Sequence, residues 1–340
     1  MGQPVIKSNS VIKSGDKFIQ VIKICNESNT DETLWVTSWP YEKEKGKAKK
    51  KINAKRSGKR IKIAKGKCKT VVFEHTKKPY QYYTDLYRYK AGGNHQGKWF
   101  GWNVNIVKIF DLDAFLEKIR KLGIWHFQYI SFLPYPMRQE VGGSPRQFKI
   151  NNVKGLPEGW EVSWLSPEIG QVLNFYPNQK NDQVLLEFVA SNANIENERL
   201  DILIDAGLVD EPDTPFNSIP IGLTAVRRQS LPEATKIRYR YDKEYPHLRC
   251  RITVTDKQGL MDAPEITYST DGGKSWIRED MKLDRVYEFT DLGMARARFS
   301  AWIPLPKMNA DVLVGYVLND QFCNTVSVPM EMVSGENRKK

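Results

Sequence analysis

The sequence predicts an all-β protein of three tandem β-sandwich domains with one short connecting helix. Three observations carry that expectation. Short runs of alternating apolar and polar residues recur along the 340 residues, punctuated by Gly, Pro, Asn and Asp. A helical period is sustained in one stretch, 112–122. With 40% hydrophobic and 11% aromatic residues, the chain can bury real cores and is not disordered by composition. The length is enough for about two or three domains.

The first domain is expected over 1–109, with strands at 18–25, 34–39, 59–64, 68–73 and 99–107. In the last of these Trp102, Val104 and Ile106 fall on one face and Asn103 and Asn105 on the other, the period of a half-buried strand. Ser14-Gly15-Asp16 and the break at 26–31 supply turn chemistry. This domain is strongly cationic. Residues 41–69 hold fourteen Lys or Arg against Glu42 and Glu44, a net +12 that equals the charge of the whole chain. Residues 1–109 carry 24 basic and 8 acidic residues, so the other 28 basic and 32 acidic ones form a near-neutral body. Such a segment attracts anionic surfaces and speeds association.

The basic stretch lies between two strands and reads as a long solvated hairpin loop. Lys47, Lys49, Lys50, Lys51, Lys55, Arg56, Lys59 and Arg60 are its candidate contacts for an acidic protein face, and a charged loop with no partner is the competing reading. Nucleic acid is not expected, because no aromatic is interleaved from Lys43 to Lys69. Trp99, Phe100 and Trp102 follow a Gly-rich segment. They suit a sugar platform or a partner hot spot, although an ordinary sandwich core is the favoured reading.

A helix follows over 110–124, with Asp111 as N-cap, Gly123 as stop, and Phe115, Ile119 and Leu122 on one face. It is expected to connect domains. The second domain, 125–208, has strands at 129–133, 146–151, 160–164, 172–175, 184–190 and 200–205. In the last, Leu200, Ile202 and Ile204 alternate with Asp201, Leu203 and Asp205. The turn Gly155-Leu-Pro-Glu-Gly-Trp160 within 148–164, followed by 181–189, resembles the small immunoglobulin-like modules attached to bacterial glycosidases and surface proteins. That resemblance implies an immunoglobulin-like (E-set) sandwich and no particular activity.

A Pro- and Asp-rich linker, 209–220, leads to a third domain at 221–334. Its sharpest string is Ser269-Thr-Asp-Gly-Gly-Lys-Ser-Trp276, which fits the Asp-box pattern. Asp271, Gly272 and Gly273 suit a turn with left-handed residues, Ser269 and Asp271 can bond turn amides, and Trp276 is expected to pack beneath. Asp-boxes recur in propellers, and a single copy makes this one a structural turn. The longer context 263–276, then Phe299-Ser-Ala-Trp-Ile-Pro304 and 311–316, resembles the dimerisation domain of sulfite-oxidase-type molybdenum enzymes. That resemblance implies an immunoglobulin-like sandwich used for subunit contact, and no catalysis. Self-association follows as an expectation.

The cysteines fall two and two, Cys25 with Cys68 and Cys250 with Cys323. Two intradomain bridges suit that placement, and four buried thiols suit it too. The N-terminus lacks an apolar leader, which fits either a cytoplasmic chain or one whose leader was removed; paired cysteines tilt the expectation towards an extracytoplasmic location. No run reaches the ~18 apolar residues of a membrane span.

The four histidines form no ligand pair, Gly-x-Ser-x-Gly and phosphate-binding glycine loops are absent, and no catalytic constellation, metal site or cofactor is expected. The sequence therefore points to a non-enzymatic structural or assembly subunit that contacts other, acidic protein subunits, within a redox or surface complex. The alternative is a carbohydrate-binding or adhesive surface protein.

Overall fold

The computed structural model describes residues 2–14, 17–44, 47–50, 58–75, 81–89, 96–105, 108–132, 146–166, 168–175, 183–209 and 221–335. The chain is all-β with several sandwich-like sheets and one short helix, as its alternating runs require. The first strands are β1 (Pro4–Ser14), β2 (Lys17–Asn26), β3 (Glu32–Glu44), β4 (Lys47–Lys50), β5 (Lys59–Ile63), β6 (Cys68–His75), β7 (Gln81–Tyr89), β8 (Gln96–Asn105) and β9 (Lys108–Asp111). Helix α1 (Leu112–Leu122) follows. Next come β10 (Trp125–Phe132), β11 (Arg146–Lys154), β12 (Trp160–Ser166), β13 (Val172–Phe175), β14 (Gln183–Ala190), β15 (Arg199–Leu208) and β16 (Ile221–Val226). The last are β17 (Glu233–Tyr241), β18 (His247–Thr255), β19 (Glu265–Ser269), β20 (Ile277–Asp280), β21 (Lys282–Phe289), β22 (Met294–Pro304), β23 (Val312–Asn319) and β24 (Thr325–Val333).

The chain groups into two units: Met1–Ile6, Cys25–Lys69 and Pro79–Arg228 in one, Lys7–Ile24, Thr70–Lys78 and Gln229–Lys340 in the other. Residues 1–109 thus divide between the units instead of forming one domain. The reason is burial. Ile12, Ile19 and Val21 belong to the same apolar cluster as Leu248, Ile252 and Phe299 of the second unit.

In the first unit, β3 pairs with β4, β5 and β7, and β7 pairs with β8. The basic stretch expected as a loop is in part a β-hairpin: Tyr41 to Glu44 of β3 pair antiparallel with Lys50 to Lys47 of β4, so Glu42 stands opposite Lys49 and Glu44 opposite Lys47. Strand pairing gives these backbone groups their hydrogen bonds, which a loop would leave to water.

The same unit holds a sandwich with sheets ordered β10-β14-β12 and β13-β11-β15-β16-β9. Phe188, Leu186 and Trp160 from one sheet share a core with Leu200, Ile202, Ile204 and Leu223 from the other. Helix α1 is built into this core and is not a mere connector. Leu112, Phe115, Leu116 and Ile119 are buried there, whereas Leu122 is exposed. Its caps are as expected, with Asp111 Oδ1 accepting from the N–H groups of Asp113 (3.0 Å) and Ala114 (3.2 Å), and Gly123 at φ 77°.

The module is longer than expected at both ends. β16 pairs with β15 from Arg199↔Val226 to Ile204↔Ile221 and runs parallel to β9, so 221–226 belongs here and not to the third domain. Of the expected linker at 209–220, Val209 is held by its N–H donating to Gln147 O at 2.8 Å, and 210–220 lie outside the described residues. The Gly155–Trp160 turn is explained locally. At Gly155 (φ 80°) a Cβ would lie 1.9 Å from the Asp201 carbonyl oxygen, and Trp160 is buried with its indole N–H donating to Asn192 O at 2.9 Å.

The C-terminal sandwich, in the second unit, has sheets ordered β17-β18-β22-β21 and β20-β19-β23-β24. Inner positions Leu248, Cys250, Ile252, Val254, Ala297 and Phe299 meet Ile266, Tyr268, Val314 and Tyr316. Because side chains alternate along a strand, burying one face of β18 and β22 turns the intervening residues outward. Those outward residues form the candidate site.

Candidate anion-binding face

The outward residues of the β17-β18-β22-β21 sheet are mostly arginines. Register builds the face in rows. Arg240 pairs with Arg249, and Arg249 with Trp302. In the next row Arg238 pairs with Arg251, Arg251 with Ser300, and Ser300 with Lys282. In the third, Lys236 pairs with Thr253, Thr253 with Arg298, and Arg298 with Arg285. Adjacent strands lie about 4.8 Å apart, so these cations are close enough to repel strongly.

One carboxylate serves the centre of this array. A β-bulge between Leu283 and Arg285 re-aims Asp284 towards the face. Asp284 Oδ1 accepts from Ser300 Oγ at 2.7 Å, and Oδ2 lies 3.5 Å from Arg249 Nη2, 3.6 Å from Arg251 Nε and 3.4 Å from Arg298 Nε. The carboxylate is only 17% exposed. These separations are ion-pair distances outside hydrogen-bond geometry, and the Nε atoms of Arg249, Arg251 and Arg298 are buried without a hydrogen-bond acceptor. One negative charge is divided among three guanidinium groups. Burial and the neighbouring Arg249, Arg298 and Arg240 hold the Arg251 guanidinium below the usual arginine range, against the opposing pull of Asp284.

Two hollows interrupt the face. A small one of about 90 Å3 is lined by Lys236, Arg238, Arg251, Thr253, Tyr287 and Arg298. A larger, open cleft of about 330 Å3 sits where β17 turns into β18, between Arg240, Arg249, Tyr245 and Trp302. Asp242 shapes that turn by accepting from the N–H groups of Glu244 (2.9 Å) and Tyr245 (3.1 Å), and these bonds lower its pKa. Trp302 is 47% exposed, with the Arg249 guanidinium 5.1 Å from its ring centroid.

The sequence signal for this face was present but diluted. Lys236-x-Arg238-x-Arg240, Arg249-x-Arg251 and Arg296-x-Arg298 each carry cations at period two, which places them on one side of a strand. Net charge over 110–340 hides the array, because acidic residues elsewhere cancel it. The body is therefore not uniformly near-neutral.

The expected site residues are distributed as follows. Lys51, Lys55 and Arg56 lie outside the described residues. Lys47, Lys49 and Lys50 are placed on β4, and Trp99, Phe100 and Trp102 on β8, where Trp99 pairs with Tyr87 and Trp102 with Asp85. Lys59 and Arg60 open β5 and are exposed, with the Arg60 guanidinium 4.4 Å from the Tyr89 ring centroid.

Cys25 and Cys68 form a disulfide. Cys250 and Cys323 do not. Cys250 points into the sandwich core, whereas Cys323 is exposed in the turn after β23 at φ 66°, so the expected second bridge has no geometry to form. The Asp-box is a self-contained turn. Asp271 Oδ1 accepts from Ser269 Oγ (2.7 Å) and from the N–H groups of Lys274 (3.0 Å) and Ser275 (2.9 Å), Oδ2 accepts from Ser275 Oγ (2.6 Å), and Gly273 N–H donates to Ser269 Oγ (2.8 Å). Trp276 lies against this turn and is partly open to solvent. Its ring is 44% exposed, with Cζ2 3.6 Å from where a Cβ on Gly273 would lie.

Among the described residues no group of three or more His, Cys, Asp or Glu is arranged to hold a metal ion, and no helix is long and apolar enough to cross a membrane.

No protein-family model and no curated protein matches the chain. Solved structures similar to it include fibronectin domains FN1–FN3 of chicken CNTN1, at TM-score 0.31 and 9% identity, covering 97% of this chain and 98% of that one. Dimeric latent PorU from Porphyromonas gingivalis gives TM-score 0.21 at 9% identity, covering 97% of this chain and 33% of that one. A tetra-tandem repeat in the extending region of a large adhesion protein gives TM-score 0.24 at 10% identity, covering 98% of this chain and 74% of that one. At these scores the likenesses carry no argument, and the architecture rests on the strands described above.

Proposed function

We propose that this chain is a non-enzymatic interaction protein, adhesive or assembling in role, that holds an acidic partner on the outer face of the β17-β18-β22-β21 sheet. The observation that supports this is the single carboxylate of Asp284 set among Arg249, Arg251 and Arg298 on a face that also carries Lys236, Arg238 and Arg240. A face that repels itself is stabilised by any anion that settles on it, so part of the folded state's electrostatic cost is returned on binding. Arginine suits the task because its planar fork meets carboxylate, sulfate and phosphate groups bidentately. The lysines at 47–50 and Lys59 and Arg60 form a second cationic element for the same class of partner.

The test is retention on an immobilised polyanion, comparing the chain with the triple variant Arg238→Gln, Arg251→Gln, Arg298→Gln. The variant should elute at clearly lower salt while remaining folded. Equal retention would remove the sheet face from the account and leave the 41–69 segment as the candidate.

A further inference from the structure

We infer that the acidic partner is a polysaccharide, and that the cleft between Arg240, Arg249, Tyr245 and Trp302 is its saccharide subsite. This rests on the reading of the sheet as an anion-binding face and names what occupies it.

The cleft combines three chemistries within one small volume. Its guanidinium groups, from Arg240 and Arg249, suit the carboxylate or sulfate of an acidic sugar. Trp302, 47% exposed at the border of a charged face, offers an apolar plane to the C–H face of a pyranose ring. Glu244, exposed on the rim, can accept from sugar hydroxyls. The volume of about 330 Å3 falls at the lower end of the range for small-molecule sites, about 300–1,000 Å3. Beyond the cleft the rows of cations continue, giving an extended acidic chain further contacts.

Two other polyanions fit less well. Protein interfaces deplete charged residues at their centres, whereas the centre of this face is Arg251 and Arg298 beside Asp284. Single-stranded nucleic acid binds through successive stacking platforms. Here Trp302 and Tyr245 border the cleft and Tyr287 borders the other hollow, so the exposed rings of this face do not follow one another as a row of platforms.

The experiment measures binding of the full chain to four probes matched in charge: polygalacturonate, dextran sulfate, polyglutamate and single-stranded DNA. The variants are Trp302→Ala, Tyr245→Ala and Trp302→Phe. An acidic polysaccharide should bind about tenfold tighter than polyglutamate or DNA. Trp302→Ala should lower polysaccharide affinity about tenfold and leave polyglutamate binding unchanged, with Trp302→Phe recovering part of the loss. Tyr245→Ala, at an exposed turn, reports on the same cleft if Trp302→Ala fails to fold. Polysaccharide affinity that survives both alanine variants would overturn the subsite while leaving the anion-binding face intact. Tighter binding of polyglutamate or DNA would overturn the polysaccharide assignment. Failure of every probe would overturn the face itself.

Discussion

Asp284 Oδ1 accepts a hydrogen bond from Ser300 Oγ at 2.7 Å, and this bond fixes the bulge-turned carboxylate among three guanidinium groups. Asp284→Asn should therefore keep the hydrogen bond and remove the charge. The expected cost is about 1–3 kcal/mol, between the values of exposed and buried pairs. Added sulfate should restore much of it, because the arginines would then share an external anion. Thermal unfolding with and without sulfate checks this. A loss of stability that sulfate does not reduce would mean that repulsion is not the cause.

The four cysteines should behave in three ways. Cys25 and Cys68 should be recovered as one linked pair in non-reducing peptide mapping, and removing that bridge should cost roughly 2–4 kcal/mol. Cys323, exposed, should alkylate readily in native protein. Cys250 should not, since burial pushes its thiol up to about 12. Native alkylation of both would place Cys250 outside the core.

His75 sets an acid limit on stability. Burial pushes its pKa down from 6.5 to about 4, and its Nε2 lies 3.3 Å from Gln20 Oε1. The unfolded chain then binds a proton more readily than the folded one. The contribution is fully present above about pH 6.5 and is lost as the pH falls towards 4. The melting temperature should drop across that window, and His75→Gln should flatten the drop. Unchanged pH dependence in the variant would assign the acid sensitivity to other groups.

Gly272 and Gly273 take φ values of 75° and 90° in the Asp-box turn. Gly273→Ala should cost about 1–2 kcal/mol through the left-handed backbone alone, since its Cβ meets only ordinary contacts at 3.6 Å. Asp271→Asn should weaken the same turn, because its hydrogen bonds from Ser275 and Ser269 hold the carboxyl well below the usual range. Equilibrium unfolding of each variant measures the effect.

Much of the fold was legible because it depends on local periodicity. The alternation of Leu200, Ile202 and Ile204 and the caps Asp111 and Gly123 describe the structure correctly. What failed depends on long-range pairing. Nothing local in Ile221–Val226 says that it joins β15, and nothing in Cys250 and Cys323 says that one faces the core and the other a surface turn. The arginine face was hidden for a related reason. Its residues come from four strands, and the bulge that brings Asp284 among them cannot be read from spacing.

A polyanion held on the outer face of the β17-β18-β22-β21 sheet must show itself in the salt dependence of binding. Affinity for dextran sulfate should fall steeply with salt, and the slope of log K against log salt should shrink by about one for each of Arg238, Arg251 and Arg298 replaced by Gln. A slope unchanged by all three replacements would mean that the polyanion does not sit on this face.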